Sequence, residues 1–175
     1  MRIFLPFRGQ YLFHVDPSKF LQRVYLDPSH PRSIHPALLN VIYLVACAIG
    51  GGSWSRLEPF FLARTRAHLE QSLALADRLT HFMWASVILA TYYRLANRLL
   101  EAFNTMSASI NFAVGFGLHR NYWIPEQDGS LKQDAIQNIE TDDPMYLWYA
   151  MFLRDLDISI IGGFPPSASE QVWVV

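Results

Sequence analysis

Residues 97–120, NRLLEAFNTMSASINFAVGFGLHR, decide the fold. Leu99, Phe103, Met106, Ile110 and Ala113 recur at steps of three and four, the spacing that lines one face of an α-helix. Gly115 and Gly117 follow, where a helix end needs backbone angles that glycine takes most easily. The stretch predicts a helix over 97–118, and the same period recurs on both sides of it.

Toward the N-terminus, Asp16 and Pro17 open a short helix through Leu26, with Asp16 as N-cap and Pro17 at the first helical position. Phe20, Leu21, Val24 and Tyr25 form its apolar side. Two prolines in 27–31, DPSHP, break the chain. A helix over 36–49 is apolar on nearly every face and belongs inside a bundle. After Gly50-Gly51-Gly52, Glu58-Pro59 begins a longer helix. Its Leu62, Thr65, Leu69, Leu73 and Ala76 are expected to face inward, and Arg64, His68, Gln71 and Ser72 to face water. A turn near Asp77 leads into a helix over 79–95, giving an antiparallel pair. Beyond 118 the sequence predicts a polar loop over 121–142. Asp143-Pro144 then opens a last helix to Ile161, closed by Gly162-Gly163 and Pro165-Pro166. No stretch alternates with period two, and no repeat period is visible. The expected class is all-α, a multi-helix bundle of antiparallel hairpins forming one domain over 1–175.

Hydrophobic residues make up 51% of the chain and charged ones 17%, a balance that favours a packed core over long disordered tails. The net charge is −1 and the arginines are scattered singly, which disfavours a phosphate-binding surface. Cys47, the one cysteine, lies in an apolar run and reads as a core residue. It supports neither a disulfide nor a cysteine zinc site, and fits a reducing compartment. The opening MRIFLPFRGQYLF is broken by Arg2, Pro6, Arg8 and Gly9 and does not read as a signal peptide. The apolar run over 36–49 makes a helix of about 20 Å, short of a ~30 Å bilayer core, so no membrane span is expected.

Catalytic patterns are missing at each place where one would start. No histidine pair has the i, i+4 spacing with a general base that a helical zinc hydrolase uses. His68-Leu69-Glu70 has the H-x-E shape of a nucleobase deaminase without its P-C-x-x-C. Gly115-Phe116-Gly117 follows a helix and lacks a third glycine, so it cradles no phosphate. Asp155 and Asp157 are two apart and point to different sides of a helix, which excludes a paired acid and base. The sequence predicts no enzyme and no metal or other cofactor bound to this chain. The helical aromatics Trp84, Tyr92, Tyr93, Phe103, Trp148, Tyr149 and Phe152 read as core, with a ligand cavity between helices as the alternative.

Ala113-Val114-Gly115-Phe116-Gly117-Leu118-His119-Arg120 resembles the A-x-x-LGLHR stretch of the fungal-specific transcription factor regulatory domain, also called the xylanolytic activator regulatory domain. A second match lies near the C-terminus. The family helix that carries Trp, Phe, Leu-Asp and Ser before Gly-Arg-Pro-Pro is matched in spacing by Trp148, Phe152, Asp155, Ser159, Gly163, Pro165 and Pro166. Phe164 stands where the family commonly has Arg, and Arg154 where an apolar residue is usual. Four earlier pieces agree in order: 7–14 with Phe20-Leu21, His35-Pro36-Ala37-Leu38-Leu39, and the segments at 71–74 and 85–93. The similarity spans residues 2 to about 168.

The resemblance implies a regulatory middle domain acting in the nucleus on RNA polymerase II transcription, with Gly117, His119, Arg120, Trp148, Phe152, Asp155, Ser159, Gly163 and Pro165 as structural motif residues. It implies DNA binding through a six-cysteine zinc cluster outside this chain, which has one cysteine and cannot build it. It also allows co-regulators, a second copy or a small-molecule inducer as partners. Because the family domain continues past Gly-x-Pro-Pro, the chain reads as C-terminally truncated. A helical scaffold or interaction module without a transcriptional role is the alternative. Asp155 is expected to be buried and paired with a cation such as Arg120, so that Asp155→Ala costs roughly 3–5 kcal/mol. Asp157, read as solvated, is expected to cost within about 0.5 kcal/mol.

Overall fold

The computed structural model describes residues 1–119 and 144–168. The predicted loop at 121–142 and the motif residue Arg120 lie outside the described residues. Six α-helices are described: α1 Pro17–Val24, α2 Pro36–Gly50, α3 Glu58–Ala74, α4 Leu79–Leu95, α5 Leu99–Gly115 and α6 Pro144–Gly162. Two 3-10 helices, Leu5–Tyr11 and Gly52–Leu57, complete the set, and there is no strand among the described residues. The class is all-α, a bundle of helix hairpins.

The bundle is built around α4, every residue of which from His81 to Tyr93 is buried. It packs against α2, α3, α5 and α6. Trp84, fully buried, receives the edge of Phe13 at 5.3 Å between ring centroids, and Phe13 in turn meets Phe20 and Phe4. These edge-to-face and tilted aromatic pairs fix the N-terminal segment against the bundle.

The helix starts follow the sequence. Asp16 Oδ1 accepts from the N–H groups of Ser18 and Lys19 at 2.7 and 3.2 Å, and Pro17 occupies the first turn. His35 caps α2 through Nδ1, which accepts from Ala37 N–H at 3.1 Å. The helix ends hold most of the corrections. α1 stops at Val24, leaving Tyr25 exposed rather than on an apolar side. α4 closes on Asn97, whose φ of 58° is left-handed, with Arg98 N–H donating to Tyr93 O at 2.8 Å and Asn97 N–H to Arg94 O at 3.1 Å. Asn97 therefore ends one helix instead of opening the next, a role its short polar side chain tolerates.

α3 is rotated from the expected phase. Thr65, Leu69 and Ser72 are buried, whereas Leu73 and Ala76 are exposed. Ser72 turns inward because it clamps the α3–α4 turn: its Oγ donates to Asp77 O at 2.6 Å, and its carbonyl accepts from Asp77 N–H at 2.9 Å. Ala76 takes a left-handed φ of 50° to make that closure.

Candidate functional site

The motif residues lie along α5 and α6, which pack together. α5 runs through Gly115, which does not take a left-handed φ, and the turn falls on Gly117, whose φ is +80° and whose N–H donates to Val114 O at 3.0 Å. Leu118 is buried behind it. The His119 ring lies 6.0 Å from that of Trp148, and its Nδ1 has no hydrogen-bond partner among the described residues.

The end of α6 is a hook. Gly163, at φ +66°, reverses the chain, and Phe164 N–H donates back to Ser159 O at 3.0 Å. Phe164 then folds over Gly162, where a methyl group would overlap its ring, and lies 4.6 Å from Phe103 of α5. Phe164 thus ties the hook to α5 through an aromatic contact. Ser159 Oγ donates to Pro165 O at 3.4 Å. One turn earlier, the wholly buried Asp155 accepts through Oδ2 from Ser167 N–H at 2.7 Å and Ala168 N–H at 3.2 Å. Asp155 and Ser159 are four apart and hold successive parts of the hook. Asp155 is therefore buried as expected, with backbone amides as its partners among the described residues.

Asp157 is not a solvated residue. Its Oδ2 accepts from Arg154 Nη1 at 2.7 Å and lies 3.0 Å from Arg94 Nε. Arg154 is itself buried, and its Nη2 donates to Gln10 O at 3.1 Å, tying the N-terminal 3-10 helix to α6. Burial draws the Arg154 guanidinium down from its ordinary range, and Asp157 opposes that shift.

A cleft of about 410 Å³ opens between α3 and α5, with α4 as its floor. Leu69, Phe82 and Leu89 supply apolar surface, and Tyr93 closes one end. Arg66 crosses that end: its Nε donates to Tyr93 Oη at 2.9 Å, and its Nη2 donates to Glu101 at 3.3 Å. Arg98 also pairs with Glu101. Of the aromatics set out as core or cavity, Trp84 is core, Tyr93 lines this cleft, and Tyr92 lines a second cavity of about 370 Å³. There Tyr92 Oη donates to Glu58 at 2.9 Å, and burial with that bond pushes the phenol up to about 12.

A third group surrounds the start of α2. With Nδ1 occupied by Ala37 N–H, neutral His35 carries its proton on Nε2, which faces Asp77 Oδ2 at 3.6 Å. Its backbone N–H donates to His81 Nδ1 at 3.2 Å, and His81 Nε2 lies 3.2 Å from Arg23 Nη2. Arg78 and the His68 ring complete the surroundings. No three of the described His, Cys, Asp and Glu residues are placed to hold a metal ion.

His35 is pulled down to about 4, first by burial and then by Arg78, while Asp77 pulls the other way. The folded chain then resists a proton that the unfolded chain accepts from pH 6.5 downward. Stability is complete above that pH and declines between 6.5 and 4. Acidification from pH 6.5 to 5 is expected to cost about 2 kcal/mol. Urea titrations at the two pH values check this, and His35→Asn, which keeps a capping acceptor, should flatten the difference.

Comparison with protein-family models, with curated proteins and with solved structures finds no match to this chain. The reading of function therefore stands on its residues. Sequence reasoning reached the motif residues of α5 and α6 and noted Arg154, the one cation of its helix, but not its partners Asp157 and Gln10. It also passed over the α3–α5 cleft.

Proposed function

We propose that the chain is the helical regulatory domain of a fungal zinc-cluster transcription factor, acting in the nucleus, with zinc and DNA held by a separate cluster domain. The observation that supports this most is the ordered resemblance over residues 2–168. Its two most regular segments fall on adjoining helices and have structural work there: the Gly117 turn ends α5, and Asp155, Ser159 and Gly163 build the hook on α6. Such residues shape a surface that co-regulators or a second copy can recognise. Among the described residues no helix is long and apolar enough to cross a membrane.

The test is to join residues 1–175 to an unrelated DNA-binding domain and follow a reporter gene in fungal cells. The fusion is expected to change reporter output relative to the DNA-binding domain alone at equal protein level. Equal output overturns the proposal. The purified chain by itself is expected to give no sequence-specific duplex shift, because its net charge is −1 and its arginines are dispersed. A specific shift that persists at ~200 mM salt contradicts that expectation.

A second reading, an interaction module outside transcription, is favoured by the half-exposed Trp54 and Phe60 with Leu57 between them. A clean monomer at micromolar concentration by light scattering counts against it.

A further inference from the structure

We propose that the cavity lined by Tyr11, Glu58 and Tyr92 binds a short ω-amino acid, with its ammonium on the Glu58 carboxylate and its own carboxylate on the Tyr11 hydroxyl. The proposal rests on the regulatory reading only for the consequence of binding. Binding itself is read on the purified chain, so its failure and that of the reporter assay are separate results.

Two polar groups of unlike kind open on this cavity. Tyr11, 3% exposed, ends the N-terminal 3-10 helix and lines the cavity, and its Oη has no hydrogen-bond partner among the described residues. It is not one of the unpaired buried oxygens that have lost all contact with solvent, so a ligand atom can reach it. A buried hydroxyl left unpaired is costly, and a ligand group that pairs with it recovers that energy. Glu58, half-buried at the start of α3, accepts from Tyr92 Oη at 2.9 Å through Oε2. Its Oε1 is unpaired and open to solvent, and no cation pairs with the carboxylate among the described residues. The Tyr92 phenol, pushed up to about 12, supports that charge without neutralising it. The partner that a lone carboxylate oxygen binds best is a donor carrying positive charge.

The charges behind Tyr11 have the opposite sign. Arg154 donates to the carbonyl of Gln10, next to Tyr11, and Arg154 and Arg94 share the single carboxylate of Asp157, two cations on one anion. Burial lifts the Tyr11 phenol above its ordinary range against the pull of those two arginines, so it stays a neutral O–H donor in a positive field. Such a donor favours an anionic acceptor. Ala48, Ile49, Leu95 and Ala96 complete the lining with apolar side chains suited to methylene groups. The volume, about 370 Å³, lies within the range of small-molecule sites.

The probes are 4-aminobutanoate, 6-aminohexanoate and 8-aminooctanoate, each with the alkylamine and the alkanoate of equal length, titrated into residues 1–175 and followed by amide chemical shifts. The best-fitting amino acid is expected to bind with a dissociation constant below ~1 mM and to shift the amides around Tyr11 and Glu58. The amine and the alkanoate of that length should each bind about tenfold more weakly. Tyr11→Phe, which keeps the ring, should bring the amino acid down to the level of the amine and leave the amine unchanged. Glu58→Gln should bring it down to the level of the alkanoate and leave the alkanoate unchanged. Ala48→Trp, which fills the cavity from an exposed position, should abolish binding of all three without altering the melting temperature. Three results overturn the proposal: no amino acid of the series bound at ~1 mM, equal affinity for the amino acid and its amine in the unaltered chain, or binding that survives Ala48→Trp.

Discussion

Asp157→Ala is expected to destabilise the chain by roughly 2–4 kcal/mol, far beyond the effect of removing a solvated carboxylate. The cause is the cation left behind. Arg154 is 5% exposed and has two partners, Asp157 Oδ2 and the Gln10 carbonyl, while its Nε has none among the described residues. Arg94, which shares Asp157, then faces Arg154 without the intervening negative charge. The Asp157 side chain is 35% exposed, so water softens the loss, and the expected value falls below that of a fully buried pair. Thermal melts should show a drop of roughly 5–15 °C. Adding Arg154→Met should restore part of it, because the stranded guanidinium is gone. A drop in the double variant as large as the sum of the single ones contradicts the pairing.

Asp155→Ala is expected to cost a similar amount, roughly 2–4 kcal/mol, for another reason. Asp155 holds no cation among the described residues. It satisfies the amides of Ser167 and Ala168, the second of which lies on the buried side of the hook. Truncation leaves both N–H groups without an acceptor and loosens the return of the chain over α6. Phe164 then loses its fixed place against Phe103. Asp155→Asn keeps one acceptor oxygen and should lose less. A melting temperature for Asp155→Ala equal to that of the unaltered chain removes the role assigned to this side chain.

The contrast between these two aspartates shows what could be read from the residues. Local signals were sufficient for the helices: Asp16-Pro17 and His35-Pro36 start α1 and α2, and the limits of α4, Leu79–Leu95, follow from its apolar run. Spacing set Asp155 and Asp157 on different sides of α6, and the resemblance implied that Asp155 is the inner one, as it is. What escaped depends on residues distant in sequence. Nothing local to Arg154 points to the Gln10 carbonyl, 144 positions away, that meets it. Phe4 and Phe13 lie in a segment too short and irregular to show a period, and they are buried because Trp84 and its neighbours accept them. The phase of α3 was missed by one residue, since a serine that reads as polar surface is drawn in by the Asp77 turn. The cleft has no sequence signature. It exists because α3 and α5 both rest on α4 and leave a gap between them.

The central claim is that Asp155, Ser159 and Gly163 close the fold at the end of α6, with Asp155 fastening the hook. Amide hydrogen exchange at Ser167 and Ala168 tests it most directly. In the unaltered chain both amides should exchange slowly, held by Asp155 Oδ2 at 2.7 and 3.2 Å. In Asp155→Ala both should exchange at rates near those of an open chain while the amides of α4 keep their protection. Unchanged exchange at Ser167 and Ala168 in the variant contradicts the account.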